Sequence, residues 1–244
     1  MLYLWVRSTV NWEDERQFRA QLDAAFAVKV DLWNGTFDMP YHRFRHEVRR
    51  IAQLNLARVE NAAVRSWDEI PDGALVAPVD DDDWFAPQVA TVLERMHEPD
   101  AIGYSWTSSF IEVPINLRHR LDLLRHALFP ATRPFWICTT NNYAVLKRPD
   151  TTLMLEKHTV ASVGFGGEHA RRVRRIDQRL SAMNRTLASQ TSLGFLRPTI
   201  RRAELLRKFR RYQALYKEPL APELAWCRPY SEMMADLMRR VSVK

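Results

Sequence analysis

Glycine is scarce in this chain, with seven residues in 244. Neither G-x-G-x-x-G nor G-x-x-x-x-G-K-[ST] occurs, which removes the two commonest glycine-rich nucleotide cradles. Cysteine is scarcer still. Cys138 and Cys227 alone cannot build a disulfide framework, so a reducing compartment is the expectation. No stretch approaches the roughly 18 to 20 apolar residues that a membrane-spanning helix requires. The opening segment, MLYLWVRSTVNWEDE, holds one short apolar run followed by acids and does not read as a signal peptide. With 46% hydrophobic and 27% charged residues, the composition is globular and excludes disorder. The expectation is a soluble, cytoplasmic protein with a core of ordinary size.

What the chain has in excess is arginine, and its location matters more than its number. Between Arg171 and Arg211 lie thirteen Lys or Arg against two acids, Asp177 and Glu204, a local balance of +11. The rest of the chain carries 23 bases and 27 acids, so the overall charge of +7 belongs to one segment. A segment of this kind attracts anions, and residues 171–211 are the candidate contact for an anionic membrane surface. That gives a peripheral position at the inner face of the membrane.

Strand-like and helix-like runs alternate through the first two thirds. Leu2–Val6 reads as a buried strand. A helix capped by Asn11 follows, with Phe18, Leu22 and Ala25 on one face. Val28–Leu32 alternates like a strand before an Asn34-Gly35 turn, and His42–Val64 reads as a helix with a Phe44, Val48, Ile51, Ala52, Val59, Ala63 stripe. Its other face carries Arg45, Arg49, Arg50 and Arg58. After a Pro71-Asp72-Gly73 turn, Ala74–Val79 reads as a core strand. Pro87 opens a helix through Val89, Val92, Leu93 and Met96. Ala101–Trp106 and Phe110–Val113 read as two strands, Leu117–Leu128 as a helix, and Phe135–Cys138 and Tyr143–Leu146 as strands.

This alternation predicts an α/β domain with a mainly parallel sheet flanked by helices. Three amphipathic helices are expected after it. They run on Val173, Ile176, Leu180, Met183 and Leu187, then on Leu205, Phe209, Tyr212 and Tyr216, then on Met234, Leu237, Met238 and Val241. The expected division is therefore 1–167 for the sheet domain and 168–244 for a basic helical extension packed on it.

The chemistry-bearing segment is Val79-Asp80-Asp81-Asp82-Asp83-Trp84. A strand that runs into carboxylates delivers them to its carboxyl edge, where open α/β sheets bind ligands. In a strand Asp80 and Asp82 would share one direction, and Asp81 and Asp83 the other. Four adjacent carboxylates repel one another. A hard divalent cation, Mn²⁺ or Mg²⁺, relieves that repulsion and keeps positions open for phosphate oxygens. An acidic surface turn capping the next helix is the plainer alternative.

Pro78-Val-Asp-Asp-Asp-Asp-Trp-Phe-Ala-Pro87 resembles the DxD segment of GT-A type glycosyltransferases, which has an apolar strand, D-x-D-D, an aromatic and a nearby proline. Aligned on Trp84, Asp80 and Asp82 fall on the two DxD acids and Asp83 on the acid that often follows; a register shifted by one stays open because all four are Asp. The resemblance spans residues 1–165 in layout and about ten residues in motif. It implies a GT-A-like fold in which Asp80, Asp82 and Asp83 hold a divalent metal and, through it, the diphosphate of a nucleotide-sugar, with Asp80 near the ribose.

It further implies a late histidine ligand, for which His158 after Leu153-Met-Leu155 is the first candidate and His169 the second. It also implies a carboxylate base, Glu156 or Asp150. Donor contacts are expected from Arg7 at the end of the first strand, from Arg49, and from Asn141 in the Thr139–Tyr143 cluster. Gly164–Gly167 is a candidate lid or a linker. The chain lacks a clear Glu-Asp pair and the Q-x-x-R-W segment after the DxD, which argues against processive polysaccharide synthesis.

The activity so implied is metal-dependent transfer of a sugar from a nucleotide-diphosphate donor to a hydroxyl acceptor, whether saccharide, lipid-linked glycan or protein. Two alternatives belong to other classes. One is a metal-dependent phosphoesterase, which also clusters carboxylates. The other is a non-catalytic basic protein bound to nucleic acid or anionic membrane, although no nucleic-acid motif is present.

Overall fold

The computed structural model describes residues 2–5, 14–59, 62–64, 67–77, 79–96, 98, 100–110, 142–148, 173–184, 186–188, 193, 196, 199–216, 220 and 222–244. Contacts divide the chain into two units. The first takes its described residues from Met1–Arg7, Asn55–Phe110 and Pro114–Met183, and the second from Ser8–Leu54 and Asn184–Lys244. Both are assembled from discontinuous stretches, whereas the division expected at 167/168 is continuous.

The first unit is a mixed sheet. Its described strands are β1 (Leu2–Trp5), β2 (Ala62–Val64), β3 (Leu75–Val76), β4 (Trp84–Phe85), β5 (Gly103–Phe110), β6 (Tyr143–Leu146) and β7 (Val173–Met183), in the order β2-β1-β3-β6-β5-β7-β4. β1 pairs in parallel with β2 and β3, and β5 with β7. The pairs β3–β6, β5–β6 and β4–β7 are antiparallel. The sheet is therefore mixed and not mainly parallel as expected. Strand–helix alternation implies parallel neighbours only where each crossover joins adjacent strands, and β6 instead enters antiparallel between β3 and β5.

The expected strands at Ala101–Trp106 and Phe110–Val113 are one strand as far as Phe110. Gly103 is required where β5 meets β6, because a Cβ there would lie 2.6 Å from the Ala144 carbonyl oxygen. The Pro71-Asp72-Gly73 turn is found, with Gly73 at φ 80°, a conformation glycine adopts without penalty. It is tied to the end of β6. Gly73 N–H donates to the Lys147 carbonyl at 2.9 Å, and Lys147 N–H donates to Ala74 at 2.7 Å.

β7 replaces the helix expected over 173–187. Its pairing with β5 is irregular: Ile176 faces Trp106, Arg179 faces Thr107 and Ser181 faces Ser108. β7 thus advances three residues, then two, while β5 advances one each time. Such bulges break the two-residue alternation of a strand: Ile176 and Leu180, four positions apart, are buried, while Gln178 between them is exposed. That spacing imitates a helix. Ser181 is fixed by the Trp106 indole N–H, which donates to its hydroxyl at 2.9 Å.

The second unit is helical. Its elements include α1 (Glu15–Ala20), α2 (Ala24–Thr36) and α3 (Tyr41–Leu56, whose last residues join the first unit). Asp14 caps α1, accepting from the backbone N–H of Arg16 and Gln17; Asn11 lies outside the described residues. Val28–Leu32, expected as a strand, is inside α2. The buried set Phe26, Lys29, Val30 and Trp33 has helical spacing, Asp23 accepts from Phe26 N–H at 2.7 Å as N-cap, and Val28 is 59% exposed. α3 carries the expected buried Phe44, Val48, Ile51 and Ala52, but ends at Leu56, and residues 62–64 form β2 instead.

Two further helices follow, α5 (Arg202–Leu215) and α6 (Arg228–Arg240), while α4 (Val89–Arg95) belongs to the sheet unit. Pro87 precedes the α4 N-cap, Gln88, rather than taking the first helical position. α5 buries Leu205, Phe209 and Tyr212, and α6 buries Met234, Leu237 and Met238, as their periodicity predicts. The core of this unit is aromatic. Trp33 stacks on Phe44 at 4.8 Å and meets Phe209 edge-on at 5.6 Å, with Phe37 against both Trp33 and Phe209. The Tyr41 hydroxyl points at the Leu187 and Ala188 carbonyls, each 3.0 Å away. Among the described residues no helix is long and apolar enough to cross a membrane.

Candidate functional site

The sheet positions the aspartates. From β1 the chain goes to β2 on one flank and returns to β3 on the other, with all three strands parallel. The strand order therefore reverses about β1. Ligand crevices of open α/β sheets form outside the carboxyl ends at such a reversal. Asp80–Asp83 follow β3 at its carboxyl end. β3 stops at Val76 rather than running to Val79, consistent with Pro78, which has no N–H to give a ladder.

The aspartates themselves form a turn. Asp83 N–H donates to the Asp80 carbonyl at 3.2 Å. Asp81 is exposed, Asp80 and Asp82 are half-buried, and Asp83 is buried at 3% exposure. The alternation expected of a strand is thus not followed: Asp83 turns inward and Asp81 outward. Trp84 and Phe85 then enter β4 and are fully buried.

An unexpected residue holds this segment. Asn55, at the end of α3, has no exposed surface. Its carboxamide N–H donates to the Phe85 carbonyl at 2.9 Å, and its oxygen accepts from Phe85 N–H at 2.8 Å. On its other side β4 pairs with β7, and Ala86 N–H donates to the Leu180 carbonyl at 2.8 Å. The amide of Asn55 serves the edge strand as a further strand would, so the backbone just after the aspartates is fixed on both sides. A sequence signal for Asn55 exists: it continues the Phe44, Val48, Ile51, Ala52 stripe by a helical step, so a polar residue falls on an apolar face.

Of the other expected site residues, Arg7, Asn141, Asp150, Glu156, His158 and His169 lie outside the described residues, as do Gly164–Gly167. Arg49 is half-buried on α3 in the helical unit, and its neighbour Arg50 pairs with Glu47 at 3.2 Å. The basic segment 171–211 is not one helical face. Its residues 173–183 form β7 and its residues 202–211 lie in α5.

Among the described residues no three His, Cys, Asp or Glu side chains gather closely enough to hold a metal ion. Two half-buried carboxylates, Asp80 and Asp82, are hard oxygen donors two positions apart in the chain. That donor set fits Mg²⁺ or Mn²⁺, which take one or two carboxylates and complete their shell with water and substrate phosphate. Comparison with known protein families, curated proteins and solved structures finds no match for this chain.

Proposed function

We propose that the chain is a metal-dependent glycosyltransferase that binds a nucleotide-diphosphate sugar beyond the carboxyl ends of β1 and β3. One observation carries the reading: the four aspartates follow β3 where the strand order reverses about β1, the position at which open sheets take ligands. The resemblance of residues 78–87 to a DxD segment supports the same placement.

In this reading Asp80 and Asp82 bind the divalent ion through their half-exposed carboxylates. Asp83, being buried, shapes the turn. Bound Mn²⁺ or Mg²⁺ would neutralise charge developing on the diphosphate leaving group. Asn55 acts on the chemistry only by holding Phe85, and through it the turn. The bond between the anomeric carbon and the diphosphate oxygen breaks, a bond to the acceptor oxygen forms, and the acceptor proton passes to a carboxylate, with Glu156 and Asp150 as the candidates.

The test is thermal stabilisation by UDP-, GDP-, dTDP- and CMP-sugars with Mn²⁺ and with EDTA. A ligand that binds only the folded state raises its melting temperature, so one donor should do so with Mn²⁺ and much less with EDTA. Asp82→Asn should abolish the metal-dependent part and lower transfer or donor hydrolysis by a factor of about 10² or more, equivalent to about 2.7 kcal/mol. Asp81→Asn, at the exposed position, should be milder. Full metal-dependent binding in both variants overturns the proposal.

A further inference from the structure

The helical unit carries a second concentration of charge, and three arginines of α5 have no acid partner among the described residues. Arg19 pairs with Glu15 and Asp31, Arg50 with Glu47, Arg174 with Glu98, and Arg239 with Asp236. On α5 the one acid, Glu204, is paired with Lys208 at 3.8 Å. Arg207, Arg210 and Arg211 are exposed on the same helix and have no acid partner among the described residues. Their spacings of three and four residues stack the charges on neighbouring turns, an arrangement that by itself weakens a helix.

These three arginines line a depression of about 490 Å³ whose other described lining residues are Ala203, Leu206 and Ala214. The volume falls within the range of small-ligand sites. Each guanidinium offers the planar fork that grips phosphate oxygens in pairs. The aromatic residues of α5, Phe209 and Tyr212, are buried in the core, so none is free to stack on a nucleic-acid base as single-strand binders require. Arg207, Arg210 and Arg211 fall within five consecutive residues, about 6 Å of helix axis, a span that the two linked phosphates of a diphosphate can bridge.

We propose that the α5 depression is a binding site for a small diphosphate-bearing ligand, held by Arg207, Arg210 and Arg211 without a metal. The described residues of the site all lie on α5, and the proposal is independent of the donor site proposed at the aspartates.

The experiment is titration calorimetry of the full chain with sodium pyrophosphate at low salt in EDTA. The comparison protein is the triple variant Arg207→Gln, Arg210→Gln, Arg211→Gln; glutamine matches arginine in helix propensity, and circular dichroism confirms the fold. Arg239→Gln serves as the charge control. Wild type and Arg239→Gln should bind equally, and the triple variant should bind about tenfold or more weakly, given the strength of guanidinium–phosphate pairs. Asp82→Asn should leave pyrophosphate binding unchanged, while the triple variant should keep any Mn²⁺-dependent stabilisation by a nucleotide-sugar, so the two sites fail separately. The proposal is overturned if wild type does not bind pyrophosphate or if the triple variant binds it as well. It is also overturned if the arginines serve only phosphatidylglycerol vesicles or a single-stranded oligonucleotide that pyrophosphate does not displace.

Discussion

β7 and α5 make a controlled pair. Val173, Ile176, Leu180 and Met183 repeat at the same three- and four-residue steps as Leu205, Phe209, Tyr212 and Tyr216, and both runs are interleaved with arginine. One is a strand inside a sheet and the other a helix on an aromatic core. Apolar spacing alone therefore does not decide between them. What differs is the residues between the apolar positions and the partners available. α5 is written in Ala, Leu, Glu, Lys and Arg, which lose little side-chain freedom in a helix. β7 has β-branched Val173 and Ile176 at its start and a long neighbour, β5, whose ladder tolerates its bulges.

The largest expected effect breaks the sheet side of this comparison. Asn55→Ala leaves the N–H and C=O of Phe85 without their partner in a buried place. Each such group costs about 1 to 3 kcal/mol, so a loss on the order of 3 kcal/mol is expected in urea denaturation. Hydrogen exchange should localise the damage, with amides of β4 and the end of β7 losing protection while those of α5 keep theirs. Equal loss in α5 would mean that β7 and α5 do not respond as parts of separate units.

Much of the frame is legible in the sequence, and the misreadings share one cause. β1, β6, α5, α6, the Gly73 turn and the buried stripe of α3 follow from local pattern. Val28–Leu32 alternates like a strand, yet Phe26, Lys29, Val30 and Trp33 satisfy helical burial at once, and the Asp23 cap decides for the helix. β7 is the converse, a bulged strand with helical spacing. In each case a single pattern fits two periods, and hydrogen bonding chooses, through a local cap in α2 and through the β5 ladder in β7. At the candidate site the aspartates are plain in the sequence because no other four-residue run carries charge of one sign at every position. The clamp from Asn55 is not, because it depends on a pairing 30 residues away.

A smaller effect sharpens the pair directly. Arg175 and Arg210 are both exposed, one in the regular part of β7 opposite Ser105 and one midway along α5. Threonine in place of Arg210 should cost about 0.5 kcal/mol through helix propensity. The same change at Arg175 should cost nothing or stabilise slightly, since β-branching suits a strand. Paired denaturation curves read the sign, and a similar cost at both positions would remove local propensity as the reason that the two runs differ.

The smallest effect is a titration confined to the helical unit. His42 on α3 lies mostly buried, and its pKa is held below the usual 6.5 chiefly by that burial. Glu15, 3.8 Å away, pulls the other way, while Arg19, Arg43 and His46 add to the lowering. Burial prevails, so the folded state resists protonation that the unfolded chain accepts. In the window below pH 6.5 the unfolded state then binds more protons, and stability rises with pH. The contribution is complete above 6.5 and is lost as the pH falls from there through the lowered pKa of the folded state. His42→Gln should flatten that part of the stability profile and leave the neutral-pH plateau near its original height. The change should appear in exchange protection of α1 and α3 and not in that of β5 and β7. An unchanged slope in the variant would assign the acid sensitivity to other groups and deny His42 its role in separating the two units by pH.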